Sequence, residues 1–324
     1  MSIASYAATS DTGKKRRRNE DSYVVAPPLF AVADGMGGAQ AGEIASQLAA
    51  AALEETDPGA MLGPERVESL IQEANRRVHE RAVSDPSTSG MGTTMTVALV
   101  EGTKVTFGHV GDSRAYRYRD GTMTQITEDH SLVNELLKSG KLSPEEADTH
   151  PQRSVITRAV GTDPDVDVDS FTLEAEPGDI FLICSDGLTD MVEDDGILEV
   201  LDRFHDDLDR VTKSLVSAAN RGGGEDNITV VAFRISDDGD GETAQLPAAE
   251  ADDTLENALP APTVDTMVVP PEEVEHVFVE PGSPEAAAIT QREPISPAAR
   301  VRLVLTMLVL LAVAAALLVW GLVH

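Results

Sequence analysis

Apolar residues in the first 236 positions fall into short runs separated by tight turns. Leu29-Phe30-Ala31-Val32-Ala33 is continuously apolar and bounded by Pro28 and Asp34-Gly35, which predicts a buried strand. Segments 3–9, 22–26, 93–101, 104–111, 114–119, 122–126, 179–185 and 227–235 read as further strands. Ala39 to Glu55 is Ala-rich and amphipathic, and Pro64 to Ser84 carries Pro in its first turn, so both predict helices. Shorter helices are expected at 131–139, at 143–147 behind the capping sequence Ser143-Pro144-Glu145-Glu146, at 194–202 and at 207–221. Turns such as Glu101-Gly102-Thr103 and Asp120-Gly121 are too short for parallel crossovers, so the strands they join are antiparallel. Hairpins with helices in separate blocks predict an α+β layered domain over residues 1–236.

Two later regions differ. Residues 237–299 hold 15 acidic residues, one basic residue and nine prolines, a composition that predicts a disordered linker. Leu303 to Val323 is 21 residues without a formal charge, led by Arg300 and Arg302 and carrying Trp320 near its far end. That length suits one bilayer-spanning helix, and the arginines place its leading end on the cytoplasmic side. The expectation is a single-pass anchor over 300–324 in the cell membrane, with the preceding residues cytoplasmic and no signal peptide at the N-terminus. A formal charge of −31 argues against a nucleic-acid partner, and Cys184, the one cysteine, excludes an intramolecular disulfide.

Candidate chemistry lies where strands end in acids. Asp34 and Asp186 each close an apolar run and precede glycine, Asp112 follows Gly111, and Asp226 follows Gly222-Gly223-Gly224 and opens a strand. Taken alone, the Asp34 stretch reads equally as a strand ending in an Asx-type turn. Four such acids beside buried strands need neutralising partners, because unpaired carboxylates are seldom placed there. An oxygen-only donor set points to Mg2+ or Mn2+ rather than zinc.

The chain resembles the metal-dependent protein phosphatases of the 2C type, in particular the bacterial membrane-tethered ones. The resemblance rests on Arg16-x-x-Asn19-Glu20-Asp21, Asp34-Gly35-Met36-Gly37-Gly38, Gly92-Thr93-Thr94, Gly111-Asp112-Ser113-Arg114, His150-Pro151-Gln152-Arg153-Ser154, Ser185-Asp186-Gly187-Leu188 and Asp226-Asn227-Ile228-Thr229, in the family's order over about residues 3–235. It implies an α-β-β-α sandwich, two antiparallel sheets flanked by helices, with the site at one end. It implies that Asp34 bridges two Mn2+ or Mg2+ ions, that Asp186 and Asp226 complete the first, and that Glu20 and the Gly35 carbonyl serve the second with Asp21 holding its waters. Asp112, Asp186 and Ser154 resemble a third, weaker ion site.

By the same resemblance a metal-activated water attacks phosphoserine or phosphothreonine in proteins, and Arg16 holds the phosphate. Met36 stands where many eukaryotic members carry His, so no side-chain acid is expected there. Residues 130–160 resemble the mobile flap of bacterial members. Phosphorylated proteins, and a membrane Ser/Thr kinase that the enzyme opposes, are the implied partners. Two other functions share these residues: an inactive phosphoprotein-binding module and a small-molecule phosphoester hydrolase. Cys184 precedes acids rather than a phosphate-cradling loop, so it reads as core and not as a nucleophile.

Overall fold

The computed structural model describes residues 2–37, 41–56, 61–147 and 150–237, with the pair Met267–Val268. All of these belong to one compact unit, Met1–Val274. The chain opens with β1 (Ser2–Asp11), β2 (Asp21–Ala26) and β3 (Leu29–Met36), then α1 (Ala41–Glu55) and α2 (Gly63–Ser84). Five strands follow: β4 (Gly92–Thr93), β5 (Met95–Glu101), β6 (Lys104–Val110), β7 (Arg114–Arg119) and β8 (Thr122–Gln125). Next come α3 (Leu132–Lys138), α4 (Pro144–Ala147), β9 (Val155–Ile156), β10 (Asp169–Glu174) and β11 (Ile180–Cys184). The last elements are α5 (Asp186–Thr189), α6 (Asp194–Phe204), α7 (Leu208–Gly222), β12 (Ile228–Ser236) and the two-residue β13 (Met267–Val268).

Two antiparallel sheets form, in the strand orders β1-β12-β11-β7-β8 and β10-β6-β5-β3-β2. They pack face to face, and each carries a helix pair outside, which gives the expected α-β-β-α sandwich. The period of two along the strands shows why their runs are apolar without a break. In β12, Ile228, Val230 and Ala232 face α6 and α7, while Val231, Phe233 and Ile235 face the other sheet. In β3, Leu29, Ala31 and Ala33 pack towards α1 and α2, while Phe30 and Val32 enter the space between the sheets. There Phe30 stacks on Phe233 with centroids 4.3 Å apart. Every side chain on such a strand meets apolar neighbours, so both faces are buried.

The departures from the sequence expectation concern single elements, the two-residue β9 at Val155–Ile156 among them. The strand expected over 93–101 is split at Thr94, because Gly92–Thr93 pairs with Gly35 and Met36 while Met95 onwards pairs with β6. β10 went unforeseen, since Asp169-Ser170-Phe171-Thr172-Leu173-Glu174 is an edge strand with little apolar signal. The single turn of α5 directly behind Asp186 is also additional. At α4 the capping sequence works as expected: Ser143 N–H donates to Glu146 Oε2 at 2.9 Å, and Glu146 N–H donates to Ser143 Oγ at 3.3 Å.

Of the span read as linker, Met267–Val268 is described beyond residue 237, as a strand parallel to Val155–Ile156. The segment 303–323 lies outside the described residues. Among the described residues no helix is long and apolar enough to cross a membrane.

Candidate active site

The acids converge at one end of the sandwich because the strands that carry them stop there. Arg16, Glu20, Asp34, Gly35, Met36, Gly37, Thr94, Asp112, Ile156, Asp186 and Asp226 line a single cleft. Five carboxylates therefore share it with one guanidinium.

Asp34 sits on the last turn of pleat in β3, and its backbone is fixed from the neighbouring strand. Its N–H donates to Thr94 Oγ1 at 3.0 Å, and its carbonyl accepts from Thr94 N–H at 2.8 Å and Thr93 Oγ1 at 2.7 Å. Thr94 Oγ1 also bonds Ser113 Oγ at 2.8 Å, which ties the Asp34 strand to the turn bearing Asp112. Asn227 performs a similar service for Glu20: its Oδ1 accepts the Glu20 N–H at 2.7 Å, while its Nδ2 donates to the carbonyls of Thr12 and Arg18 at 2.9 Å. Asp226 receives Arg16 Nη2 on Oδ2 and the Asn227 N–H on Oδ1, each at 2.7 Å.

Burial and mutual repulsion govern the electrostatics. Burial holds the Asp34 carboxyl well above the ordinary carboxylate range, and Asp21, Asp186, Asp226 and Asp112 add to the push. Asp186 is raised in the same way by burial, then by Asp112 and Asp226. Asp112 is pushed up to about 7 by burial and by Asp129 and Asp190. Arg16, the one cation lining the cleft, reaches Asp226 at 2.7 Å and Glu20 only at 3.9 Å. Such a site favours cations, which lower the repulsion that the protein leaves in place.

The residues present fit a divalent metal. Asp186 Oδ1 and Asp21 Oδ1 are buried without a hydrogen-bond partner, although a carboxylate oxygen seldom stays so. The lining acids and the threonine offer only oxygens, the ligand type of Mg2+ and Mn2+. Among the described residues no three His, Cys, Asp or Glu side chains are gathered so as to hold one ion by themselves. Water and backbone carbonyls are accordingly needed beside the carboxylates, as hard cations of this kind commonly use.

Several residues stand somewhat apart from their sequence expectation. Asp21 is absent from the lining of the cleft; it lies behind, where Ser185 Oγ and Thr229 Oγ1 donate to its Oδ2 at 2.8 and 2.6 Å. Burial nonetheless raises it to about 6. Ser154 lies not in the cleft but in the adjoining groove, which it shares with Asp112 and Asp186. Gly35 answers a steric demand beyond its carbonyl: a Cβ there would come within 2.1 Å of the Gly42 carbonyl oxygen and 2.5 Å of that of Glu20. Met36 packs with Ile156 and Ala159 as an apolar wall of the cleft. Cys184 is buried on the helix side of β11, its thiol pushed up to about 12, which agrees with the core reading. Thr94, Ser185, Asn227 and Thr229 are the residues whose work the sequence did not assign. Thr94, Ser185, Asn227 and Thr229 all stood inside quoted motifs, so only their hydrogen-bond partners were missing.

Comparison with known proteins agrees with this geometry. The family profile described as Protein phosphatase 2C matches residues 14–219. The serine/threonine protein phosphatase PstP of Mycobacterium tuberculosis is 42% identical over 252 residues, 76% of this chain and 48% of its own length. The serine/threonine phosphatase stp of Listeria innocua is 40% identical over 233 residues, 68% of this chain and 92% of its own. A crystal structure of the PstP catalytic domain in complex with 2 manganese ions superposes with a TM-score of 0.66 at 40% identity, covering 72% of this chain and 99% of that one. The chain belongs to the protein phosphatase 2C family. It spans about half the length of the mycobacterial relative.

Proposed function

We propose that this chain hydrolyses phosphoserine and phosphothreonine in proteins, using divalent metal ions held by the cleft acids. The observation that carries the reading is the cleft itself: five carboxylates, three of them with raised pKa, opposed by one arginine at the converging ends of two sheets. Asp34, Asp186 and Asp226 would hold one ion, and Asp34, Glu20 and the Gly35 carbonyl a second, with Asp21 behind them. Asp112 and Asp186, beside Ser154, would take a third and weaker one. Ions bound there lower the pKa of water and offset negative charge on the phosphoryl group, the chemistry of two-metal hydrolases.

The chain's own residues do the rest. Arg16, anchored on Asp226 by one arm of its fork, would present the other to phosphoryl oxygens. Met36 and Ile156 give the mouth an apolar wall but no proton donor. Phosphorylated proteins are the proposed substrates, and a membrane Ser/Thr kinase the activity opposed. The expected result is that phosphothreonine and phosphoserine peptides are turned over with kcat/KM at least about tenfold above sugar phosphates and phosphotyrosine peptides. Preference for the small phosphates would replace this reading with a metabolite hydrolase, and absence of turnover with intact metal binding would replace it with a binding module.

We also propose that 303–323 tethers the protein to a bilayer through a long acidic linker, the support being 21 consecutive residues without charge. Cell fractionation should place the full chain in membranes and a chain lacking 303–323 in the soluble fraction. Equal distribution of the two would dismiss the tether.

A further inference from the structure

His130 lies outside the cleft lining, yet its imidazole joins three parts of the fold that meet at the site. Its Nδ1 accepts the Gly111 N–H at 3.1 Å, which leaves the ring proton on Nε2. That Nε2–H donates to Asp169 Oδ2 at 3.1 Å, and the other Asp169 oxygen accepts from Arg158 Nη1 at 2.6 Å. The backbone repeats the clamp: His130 N–H donates to the Gly111 carbonyl, and Thr157 N–H donates to the His130 carbonyl, both at 2.8 Å. A second buried ring, His109, lies 4.8 Å away at a tilt of 38° and donates its own Nε2–H to the Glu128 carbonyl at 3.0 Å, so the His130 ring is backed by a fixed neighbour.

The three parts are the Gly111-Asp112 turn, the chain leaving for α3 and the chain returning behind β9. Residues 128–130 are joined in succession to the first: Glu128 to His109, Asp129 to Arg114, which makes a two-pronged ion pair, and His130 to Gly111. The returning chain runs through Arg158 to Val160, which exchanges two backbone hydrogen bonds with Thr93 at 2.8 and 3.0 Å. Thr93 Oγ1 in turn bonds the Asp34 carbonyl. The segment between 131 and 156, inside the stretch 130–160 that the family resemblance likens to a flap, is thus rooted at both ends on backbone that carries cleft acids.

We infer that Asp169 and His130 are positioning residues: Asp169 fixes the His130 tautomer, and His130 then holds the Asp112 turn and both roots of the 131–156 segment as one unit. The inference deepens the phosphatase reading. It follows that the nature of the group facing Nε2 matters more than its charge. Asp169→Asn retains one oxygen that can accept the Nε2–H, so the tautomer and the Gly111 contact persist, while its Nδ2 replaces the oxygen that accepts from Arg158 Nη1. Asp169→Ala removes that acceptor, and the ring can shift its proton to Nδ1, which then opposes the Gly111 N–H.

The test compares the wild-type chain with Asp169→Asn, Asp169→Ala and His130→Ala by amide hydrogen exchange with Mn2+ present, and by Mn2+ titration of each protein. In Asp169→Ala and His130→Ala, exchange at 111–113 and 130–158 should rise about tenfold, the scale of losing one buried hydrogen bond, while β5 and β12 stay unchanged. Mn2+ affinity for the weakest site should fall in step, and phosphopeptide kcat/KM should fall with it. Asp169→Asn should stay clearly closer to wild type than Asp169→Ala in exchange at 111–113 and in Mn2+ affinity, with a rise at 157–158 from the lost Arg158 contact. An exchange increase spread evenly over the fold, or equal effects from Asn and Ala, overturns the inference. Failure of the phosphatase reading would show separately, as a wild-type protein without turnover, while the exchange pattern would still decide the positioning role.

Discussion

Asp34→Ala is expected to lower phosphopeptide turnover by about three orders of magnitude or more while leaving the protein folded. The carboxylate is half-buried in the acidic cleft, and four other acids raise its pKa, so its removal changes the field at all four of them. Its backbone contacts to Thr93 and Thr94 survive in alanine, so the strand keeps its register. Deleting one member of a repelling set also relieves the rest. The variant should therefore melt no lower than wild type when both are stripped of metal, and should gain less from added Mn2+. Activity loss accompanied by a large drop in metal-free Tm would show that Asp34 serves the fold instead.

The second large effect is an inverted dependence of stability on pH. In the metal-stripped protein Asp21 stands at about 6 and Asp112 at about 7, and Asp34 and Asp186 are also raised. Groups whose folded pKa is raised favour folding in their protonated form. Their stabilisation is full below the ordinary carboxylate range near about pH 4 and is lost as pH rises through the folded values. The metal-stripped Tm should accordingly fall by roughly 5 °C or more between about pH 5 and about pH 8. Glu73, Asp85 and Asp169 are lowered and act with the opposite sign only as pH falls below about 4. His109, His130 and His150, lowered by burial, act with the opposite sign between about pH 5 and about pH 7 and reduce the fall without reversing it. Saturating Mn2+ should abolish the slope, because ions do the neutralising that protons do at low pH. A flat or rising metal-stripped profile would contradict the repulsive cluster.

Much of the cleft was legible in the chain because its ligands obey a local rule: an acid beside glycine where an apolar run stops. Asp34, Asp112 and Asp186 follow it, Asp226 stands two residues after Gly224 where a strand begins, and all four line the cleft. Residues acting through long-range hydrogen bonds follow no such rule. Asn227 meets Glu20 across 207 positions and Thr229 meets Asp21 across 208, so nothing in the local pattern announces either contact. The Asp21 expectation illustrates the same limit, since strand pairing sets it opposite Asp34 while two hydroxyls hold it behind the cleft. Gly35 was read for what its carbonyl might do; the crowding by Gly42 and Glu20 appears only once α1 is packed. β10 escaped because an edge strand with an open face has no continuous apolar run.

The most direct measurement follows phosphate release from a phosphothreonine peptide by the metal-stripped protein as Mn2+ is added back. No release above background is expected in chelator, recovery should saturate with Mn2+, and Asp226→Ala should fail to recover at the same concentrations. Full turnover in excess chelator would contradict the metal assignment.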